Sequence, residues 1–264
     1  MSRLLIDGEP ATPDDLAYLA VTNYGAFTSF RVEAGGVRGL DRHLARLEAS
    51  AVALFGQAVG EARLRDLIRA AAAESEACWL RVSLFSPEIQ ARRPSWIGTP
   101  KVMIAVSAPP SALAESLTLQ VRTHARHLPE IKHAATLDLV HARREARKAG
   151  FDDALFVDAD GLISEGSTWN IGLVKGDRVT WPLAPMLAGV TQGLVDEGLA
   201  GVGLISERRA VRLADLADFD AAFICNSTTP ACPVTAIGEQ DFAVDAALID
   251  RLTTAWTSRP PQPI

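Results

Sequence analysis

Lysine is scarce in this chain, so chemistry that needs a primary amine has few candidates. The 26 lysines and arginines comprise 22 arginines and four lysines, Lys101, Lys132, Lys148 and Lys175. A lysine amine attacks an aldehyde only when it is partly neutral, and burial in a cleft favours that form. Lys132 lies where the irregular segment 128–131 gives way to a predicted helix, a position from which an amine can point into a cleft. Lys148 and Lys175 are interpreted as surface lysines.

Three further segments place polar residues at the ends of predicted elements. Glu165 follows a strand and opens the sequence Glu-Gly-Ser-Thr-Trp-Asn, which ends at Asn170. Segment 187–191 ends in Gly-Val-Thr at a helix start, and segment 225–230 leaves a strand into a hydroxyl-rich turn. None of these segments identifies a function on its own.

Strands and helices must position these residues, and hydrophobic periodicity predicts both. Apolar runs and alternations predict strands at 4–7, 27–32, 78–85, 102–106, 117–121, 154–158, 171–174, 179–181 and 221–225. Apolar residues at three- and four-residue spacing predict helices at 40–54 behind Asp41 as N-cap, at 64–71, at 133–148, near 191, near 213 and at 244–256. Segment 8–13 is interpreted as a polar turn, and the proline-rich tail 259–264 as frayed.

Length and composition predict a globular protein of one large domain or two small ones. The 264 residues are 48% hydrophobic and 22% charged, which excludes the disordered and disulfide-scaffold classes. The adjacent prolines within segment 107–112 stop both helix and strand and therefore predict a domain boundary. We expect an N-terminal α/β domain at 1–107, a linker at 108–116 and a C-terminal domain at 117–264.

Charge and cysteine content exclude several classes of partner. A net charge of -6 and a pI near 5.4 provide no general attraction for nucleic acid. Three cysteines are too few for a disulfide framework or a four-ligand zinc site, and the five histidines have no metal-binding spacing. The N-terminus lacks a signal-peptide pattern, and no run of about 18 apolar residues follows. We expect a cytoplasmic protein without a metal, nucleic-acid or membrane partner.

Together the polar segments resemble the class IV (fold type IV) pyridoxal-phosphate enzymes. This family includes branched-chain and D-amino-acid aminotransferases and aminodeoxychorismate lyase. Its signature is E-x-[ST]-x-x-N, an aliphatic residue, a variable gap and L-x-G-[IV]-T. The chain matches the signature from Glu165 to Ile171 and from Leu187 to Thr191.

Three other matches occur in the family's order, and the resemblance extends over residues 4–237. Segment 42–47 is similar to the family's H-L-x-R-L helix, and segment 27–32 to its F-[ET]-T-x-R-V strand. Segment 223–234 is similar to the late strand and turn that end in Pro-Val. The chain is therefore identified as a member of this family.

The resemblance implies the fold class and the activity. The fold class is α+β, with a small α/β N-terminal domain and a larger C-terminal domain that has a mainly antiparallel sheet or barrel flanked by helices. The implied cofactor is pyridoxal 5′-phosphate, and the implied assembly is a homodimer. The implied activity is that of an aminotransferase acting on amino acids and 2-oxo acids through a Lys132 Schiff base.

The resemblance also assigns site residues. Lys132 is the implied catalytic residue, and Glu165 is matched to the carboxylate that keeps the pyridine nitrogen protonated. A guanidinium and the N–H groups of a helix N-terminus suit the cofactor's phosphate. The other implied cofactor contacts are Arg46, Val190, Thr191, Ser227 and Thr228. Candidate substrate contacts are Tyr24, Thr28, Arg81, Arg92, Arg93 and Thr229, with surface exposure as the alternative for the arginines and core packing for Tyr24.

The chain departs from the family at several positions. Gly172 replaces a frequent aromatic residue, Trp181 a usual threonine, and Gln192 a basic residue. Leu137 stands where branched-chain aminotransferases have a tyrosine that contacts the cofactor's hydroxyl. Thr28 stands where many aminotransferases have glutamate, as it does in the lyase branch.

These departures leave two alternatives open. The first is an aminodeoxychorismate lyase that releases pyruvate by β-elimination, and Thr28 supports it. The second is a non-catalytic homologue that keeps the fold as a binding protein, and Gln192 and Gly172 support it.

Overall fold

The chain forms two compact units. The computed structural model describes residues 3–264, so residues 1 and 2, where the predicted N-terminal domain begins, lie outside the described part. The first unit contains the residues up to Pro110 together with Ile131–Ala135 and Pro261–Ile264. The second unit contains Ser111–Glu130 and Thr136–Pro260.

The elements of residues 3–264 are numbered along the chain. The strands are β1 (Arg3–Ile6), β2 (Glu9–Pro10), β3 (Ala26–Glu33), β4 (Gly36–Val37), β5 (Ala77–Phe85), β6 (Lys101–Ser107), β7 (Leu117–Thr123), β8 (Asp153–Val157), β9 (Ile163–Gly166), β10 (Asn170–Lys175), β11 (Arg178–Pro182), β12 (Ile205–Arg209), β13 (Ala221–Asn226), β14 (Thr229–Ile237), β15 (Gln240–Asp241) and β16 (Gln262–Pro263). The α-helices are α1 (Pro13–Val21), α2 (Leu40–Phe55), α3 (Glu61–Ala72), α4 (Leu137–Lys148), α5 (Val190–Gly198) and α6 (Ala246–Thr257). None of the helices in these residues is both long and apolar enough to cross a membrane.

The first unit is built on a seven-stranded antiparallel sheet with the order β16-β4-β3-β5-β6-β1-β2. Strand β3 buries alternate residues, so that Thr28, Phe30 and Val32 share its inner face. Helices α2 and α3 supply the other side of this core. The α2 residues of the core are Leu40, Leu44, Leu47, Ala51 and Phe55. Each such leucine stabilises the fold by roughly 1.5–3 kcal/mol, and Thr28 is the polar exception on the inner face of β3.

The second unit is built on a nine-stranded sheet in which six strands close into a ring. The ring runs β10-β13-β14-β7-β8-β9 and then returns to β10. Strand β7 pairs in parallel with β8 and β14, and the other pairs of the ring are antiparallel. The ring closes where Glu165 of β9 pairs with Asn170 of β10. The predicted α+β class, with a mainly antiparallel sheet or barrel in the C-terminal part, is confirmed.

Gly172 in β10 is explained by two aromatic rings. It pairs with Phe223 of β13, and a Cβ at position 172 would lie 2.4 Å from the Phe223 ring and 3.1 Å from the Trp181 ring. The two rings pack edge to face with centroids 5.4 Å apart. The Trp181 indole donates a hydrogen bond to Asp196 at 2.8 Å. The two departures from the family, Gly172 and Trp181, therefore compensate each other in volume.

Two predicted helix starts are wrong. Helix α2 has Gly39 as its N-cap, in the left-handed region at φ 66°, and Asp41 lies inside the first turn. The helix predicted at 133–148 begins at Leu137, because residues 132–134 pair with residues 25–27 at the start of β3 instead. A competing backbone partner, which periodicity does not register, decides this boundary.

Three other sequence predictions also fail. The predicted turn at 8–13 contains the start of α1, where Thr12 and Asp15 form a reciprocal capping box. The tail predicted as frayed is ordered, because β16 pairs with β4. The helix predicted near 213 is a short 3-10 helix, Leu213–Asp218.

We expect Gly172→Ala to destabilise the protein by about 1–3 kcal/mol, because the added methyl overlaps the packed Phe223 ring. Denaturant unfolding of the purified variant measures this loss. Gly201→Ala is the matched control, since no atom lies within 4 Å of a Cβ there and the residue is exposed. Equal unfolding midpoints for the two variants would contradict the account of Gly172.

Candidate functional site

Main-chain hydrogen bonds on both sides fix the backbone of Lys132. The Phe27 N–H donates to the Lys132 carbonyl at 2.9 Å, and the Ala134 N–H donates to the Gly25 carbonyl at 2.8 Å. The Lys132 amine lies 5.0 Å from the centroid of the Phe27 ring, and the residue is half-buried. The face of an aromatic ring attracts a cation, so Phe27 orients the amine.

Thr28, His43 and Arg46 form a buried hydrogen-bonded cluster between β3 and α2. Arg46 Nη2 donates to Thr28 Oγ1 at 2.5 Å, and Thr28 Oγ1 lies 2.6 Å from His43 Nδ1. Burial lowers the pKa of His43 well below its ordinary value of 6.5, and the charges of Arg46 and Lys132 lower that pKa further. His43 is therefore neutral at pH 7, and the cluster carries its positive charge on Arg46.

The first unit also contains four of the candidate substrate residues. The Arg81 guanidinium lies 3.6 Å from the centroid of the Phe27 ring, the same ring that neighbours the Lys132 amine. Tyr24 is 41% exposed, and its hydroxyl donates to a main-chain carbonyl of α2 at 3.1 Å. Arg81, Arg92 and Arg93 are all exposed. Arg81 differs from the other two in that its guanidinium shares an aromatic neighbour with the Lys132 amine.

In the second unit, Glu165 is paired with Arg126, a residue that sequence reasoning misses. Arg126 Nη1 lies 3.4 Å from Glu165 Oε1, and both side chains are only 5% exposed. Arg126 is one of 22 arginines and has no diagnostic spacing in the sequence. The pair fixes the orientation of a buried carboxylate at the end of β9.

The serine and tryptophan of the signature bind a buried aspartate. Ser167 Oγ donates to Asp153 Oδ1 at 2.7 Å, and Trp169 Nε1 donates to Asp153 Oδ2 at 3.0 Å. Arg143 forms an ion pair with the same carboxylate at 3.3 Å. Asp153 is 1% exposed. These contacts anchor the connection from β9 to β10, so the signature serine has a structural role here.

The signature asparagine holds the glycine turn. Asn170 Nδ2 donates to the Leu187 carbonyl at 3.0 Å. A Cβ on Gly189 would lie 2.0 Å from Asn170 Oδ1, so the close approach requires glycine. This contact places the start of α5 beside the end of β9, because Asn170 is also the residue that pairs with Glu165.

Helix α5 begins after its N-cap, Gly189, and no side chain of the described residues caps the first turn. Thr191 and Gln192 are buried in that turn, and Gln192 Nε2 has no hydrogen-bond partner among the described residues. First-turn N–H groups and the positive end of the helix dipole suit an anion.

The turn between β13 and β14 is organised by Asn226, which sequence reasoning also misses. Its Oδ1 accepts hydrogen bonds from the Thr228 N–H at 3.0 Å, the Thr228 hydroxyl at 2.8 Å and the Thr229 N–H at 3.1 Å. The Thr229 hydroxyl accepts from the Leu113 N–H at 2.9 Å. Ser227 lies half-buried in this turn. An asparagine before Ser-Thr-Thr is a turn-forming pattern, so Asn226 could have been found from the sequence.

A family model described as "Amino-transferase class IV" matches residues 25–237. The chain belongs to this family. A relative in Arabidopsis thaliana, the branched-chain-amino-acid aminotransferase-like protein 2, is 27% identical over 251 residues, which cover 87% of this chain and 45% of that protein. The chain thus spans about half the length of the first curated relatives that it matches.

Solved structures show the same fold. The fold IV-transaminase CpuTA1 from Curtobacterium pusillum has a TM-score of 0.81 at 22% identity, and the match covers 98% of each chain. A hypothetical aminotransferase from Mycobacterium tuberculosis, in its PLP-bound form, has a TM-score of 0.76 at 20% identity and covers 97% of this chain and 99% of that chain. The predicted membership of the class IV (fold type IV) family is confirmed.

This member of the class IV aminotransferase family has a buried charged residue that lies outside the family signature. Asp153 is buried with the signature serine and tryptophan, yet nothing in the spacing of the sequence marks it. His43, three residues before Arg46 and so on the same side of α2, could have been found by that spacing.

Ser167→Ala removes one hydrogen-bond donor from the buried Asp153 carboxylate. We expect a loss of about 1–3 kcal/mol in unfolding free energy, because a buried acceptor is left with one partner fewer. Denaturant unfolding measures the loss, with Ser111→Ala, an exposed serine, as the control. A Ser167→Ala midpoint equal to that of the control would show that the contact with Asp153 contributes nothing.

His43 predicts a loss of stability in mild acid. The unfolded chain protonates this imidazole below about pH 6.5, whereas the folded protein does not, so lower pH favours unfolding. Between about pH 7.5 and about pH 5.5 this group should cost about 1.4 kcal/mol. Denaturant unfolding measures the loss of unfolding free energy between the two pH values. In His43→Asn this loss should be smaller than in wild type by the contribution of His43. In His141→Asn, the control at an exposed histidine, that contribution should remain. The same acid loss in wild type and His43→Asn would refute the prediction.

Proposed function

We propose that this protein is a pyridoxal-phosphate-dependent aminotransferase that transfers an amino group between an amino acid and a 2-oxo acid. The placement of Lys132 carries the proposal: the backbone is fixed against β3, and the amine lies beside the Phe27 ring. Lys101 and Lys148 form ion pairs with carboxylates at 2.6 and 2.7 Å. Membership of the class IV family supports the same reaction class.

The donor set of the chain fits pyridoxal phosphate. The uncapped start of α5 and the buried, unpartnered Nε2 of Gln192 offer donors to an anion. Glu165 offers a buried carboxylate to a ring nitrogen. Lys132 would hold the aldehyde carbon, Glu165 the ring nitrogen, and Arg46, Val190, Thr191, Ser227 and Thr228 the phosphate. The PLP-bound relative from Mycobacterium tuberculosis is consistent with this assignment.

When bound, pyridoxal phosphate supplies a protonated ring that stabilises the carbanion formed as the substrate's α proton departs. The Lys132 amine takes that proton as general base and returns a proton as general acid. Arg126 fixes the orientation of the Glu165 carboxylate, which would accept a hydrogen bond from the ring nitrogen. Phe27 keeps the amine on one side of its ring.

The candidate substrate contacts are sorted by their surroundings. Arg81 is proposed for the substrate carboxylate, because it shares the Phe27 ring with Lys132. The Thr229 hydroxyl is used by a main-chain N–H, and Thr28 is fully buried in the cluster with Arg46. The alternative of a lyase depended on Thr28, and this placement gives it no support, so transamination is the function we propose.

The proposal is tested by trapping the cofactor on its lysine. After incubation with pyridoxal phosphate, the wild type should show a visible absorbance band that borohydride bleaches, with added mass on the peptide containing Lys132. Lys132→Ala should lack both signals, whereas Lys101→Ala, Lys148→Ala and Lys175→Ala should keep them. A bleachable band that persists in Lys132→Ala would overturn the assignment.

The reaction class needs a separate assay. Addition of an amino acid to the loaded enzyme should release one equivalent of the matching 2-oxo acid, and turnover should continue only with a second oxo acid as acceptor. Release of pyruvate from aminodeoxychorismate without any acceptor would instead establish the lyase. A purified wild type that stays colourless with added cofactor would favour the non-catalytic homologue.

A further inference from the structure

We propose that Thr28 and His43 are positioning residues that hold the Arg46 guanidinium for the phosphate of the cofactor through an uncharged hydrogen-bond relay. The inference rests on the proposed function, in which Arg46 binds that phosphate. Thr28 is otherwise only a candidate substrate contact, and His43 has no other assigned role.

The direction of each hydrogen bond in the relay follows from the donors available. Arginine has no acceptor, so Arg46 Nη2 donates to Thr28 Oγ1 at 2.5 Å. The threonine hydroxyl has one hydrogen, and among the described residues its other partner is His43 Nδ1 at 2.6 Å. Because Thr28 is fully buried, a hydrogen on Nδ1 would leave the threonine hydrogen without an acceptor. The ring of His43 is therefore the neutral tautomer with its hydrogen on Nε2.

Packing fixes the two ends of the relay. Thr28 belongs to the central part of β3, where its side chain faces α2, and strand pairing on the β5 side holds its backbone. The His43 ring packs against Phe30 with centroids 4.9 Å apart. Arg46 lies three residues after His43, on the same face of α2. The long, flexible side chain of Arg46 is thus hydrogen-bonded to a hydroxyl whose position is fixed by packing.

The absence of charge in the relay suits an anion-binding arginine. A carboxylate at position 28 would compete with a phosphate for the Arg46 guanidinium, whereas a hydroxyl orients the guanidinium and adds no charge. A protonated His43 would carry a hydrogen on Nδ1 and would no longer accept from Thr28. The neutral state of the buried imidazole keeps the relay intact.

The first experiment compares two ligands that differ only in the phosphate. Pyridoxal phosphate and pyridoxal are titrated into wild type, Thr28→Val, Thr28→Ser and His43→Asn after removal of bound cofactor with hydroxylamine, and dissociation constants are read from the visible band. Thr180→Val is the matched control, because Thr180 is a buried threonine of the second unit, 1% exposed, whose hydroxyl bonds to Glu207. The melting temperature of each variant is recorded to separate stability from affinity.

We expect Thr28→Val to weaken pyridoxal phosphate binding on the order of tenfold or more, because a hydrogen bond to a charged group is lost. Pyridoxal binding should stay within about twofold of wild type, since no phosphate contact is involved. Thr28→Ser and His43→Asn should recover most of the affinity, because each preserves the hydroxyl or its acceptor. Thr180→Val should leave both affinities unchanged.

Two results would overturn the inference. Equal weakening of both ligands by Thr28→Val would show a general structural effect, and no weakening of either would show that Arg46 needs no relay. If wild type and Thr28→Val bind pyridoxal phosphate equally well, the relay is refuted and the proposed function is not. Wild type that binds no pyridoxal phosphate refutes the proposed function and with it the relay.

The second experiment reads the tautomer without any cofactor. Long-range ¹⁵N–¹H correlation of histidine-labelled protein should show one imidazole with an unprotonated Nδ1 and a protonated Nε2 across about pH 5.5 to 8. That ring should be absent from the His43→Asn spectrum and shifted at Nδ1 in Thr28→Val. A protonated Nδ1 on His43 would reverse the direction of the relay and overturn the proposal.

Discussion

The backbone pairing of Glu165 with Asn170 closes the six-stranded ring, and the polar groups of the second unit depend on it. The chain must reverse within segment 166–169, since β9 and β10 pair as neighbours. Ser167 and Trp169 anchor this reversal on the buried Asp153. Asn170 then reaches the glycine turn through Leu187. An open ring would leave a sheet edge with unpaired main-chain groups, so the closure stabilises the fold. The same pairing also brings Glu165 close to the start of α5, because Asn170 holds the turn before that helix.

The two units satisfy their buried polar groups in different ways. The second unit uses charge: Asp153 with Arg143, and Glu165 with Arg126. Removing one partner from such a buried pair is costly, because the other charge stays away from water. The first unit uses a neutral hydroxyl and a neutral imidazole beside Arg46. The buried carboxylates of the second unit are thus paired with arginines, whereas the two side chains that form the relay beside Arg46 are uncharged.

Departures from the family pattern are absorbed by packing. Gly172 makes room for Phe223 and Trp181, and the indole of Trp181 is bonded to Asp196. Volume is conserved when one side chain shrinks and its neighbour grows, and such exchanges are well tolerated in cores.

The sequence by itself determined the fold class, most of the strands and helices, and the family. Alternation and three- to four-residue spacing are local properties, so β3 and α2 are visible in them. The signature likewise identified Glu165 and the start of α5. Contacts between residues far apart in the sequence leave no local pattern that could predict them. The pairing of residues 132–134 with residues 25–27, which shortens α4, joins segments about a hundred residues apart and was missed.

Tertiary structure alone decided the partners of the buried polar groups. Arg126 and Asp153 have ordinary neighbours in the sequence, and only the ring brings them to Glu165 and Ser167. Thr28 is a candidate substrate contact by resemblance, and only the packing of α2 on β3 showed that it lies against Arg46 and His43. Periodicity reports which face of an element is buried, but the partner found there depends on how elements from distant parts of the chain come together.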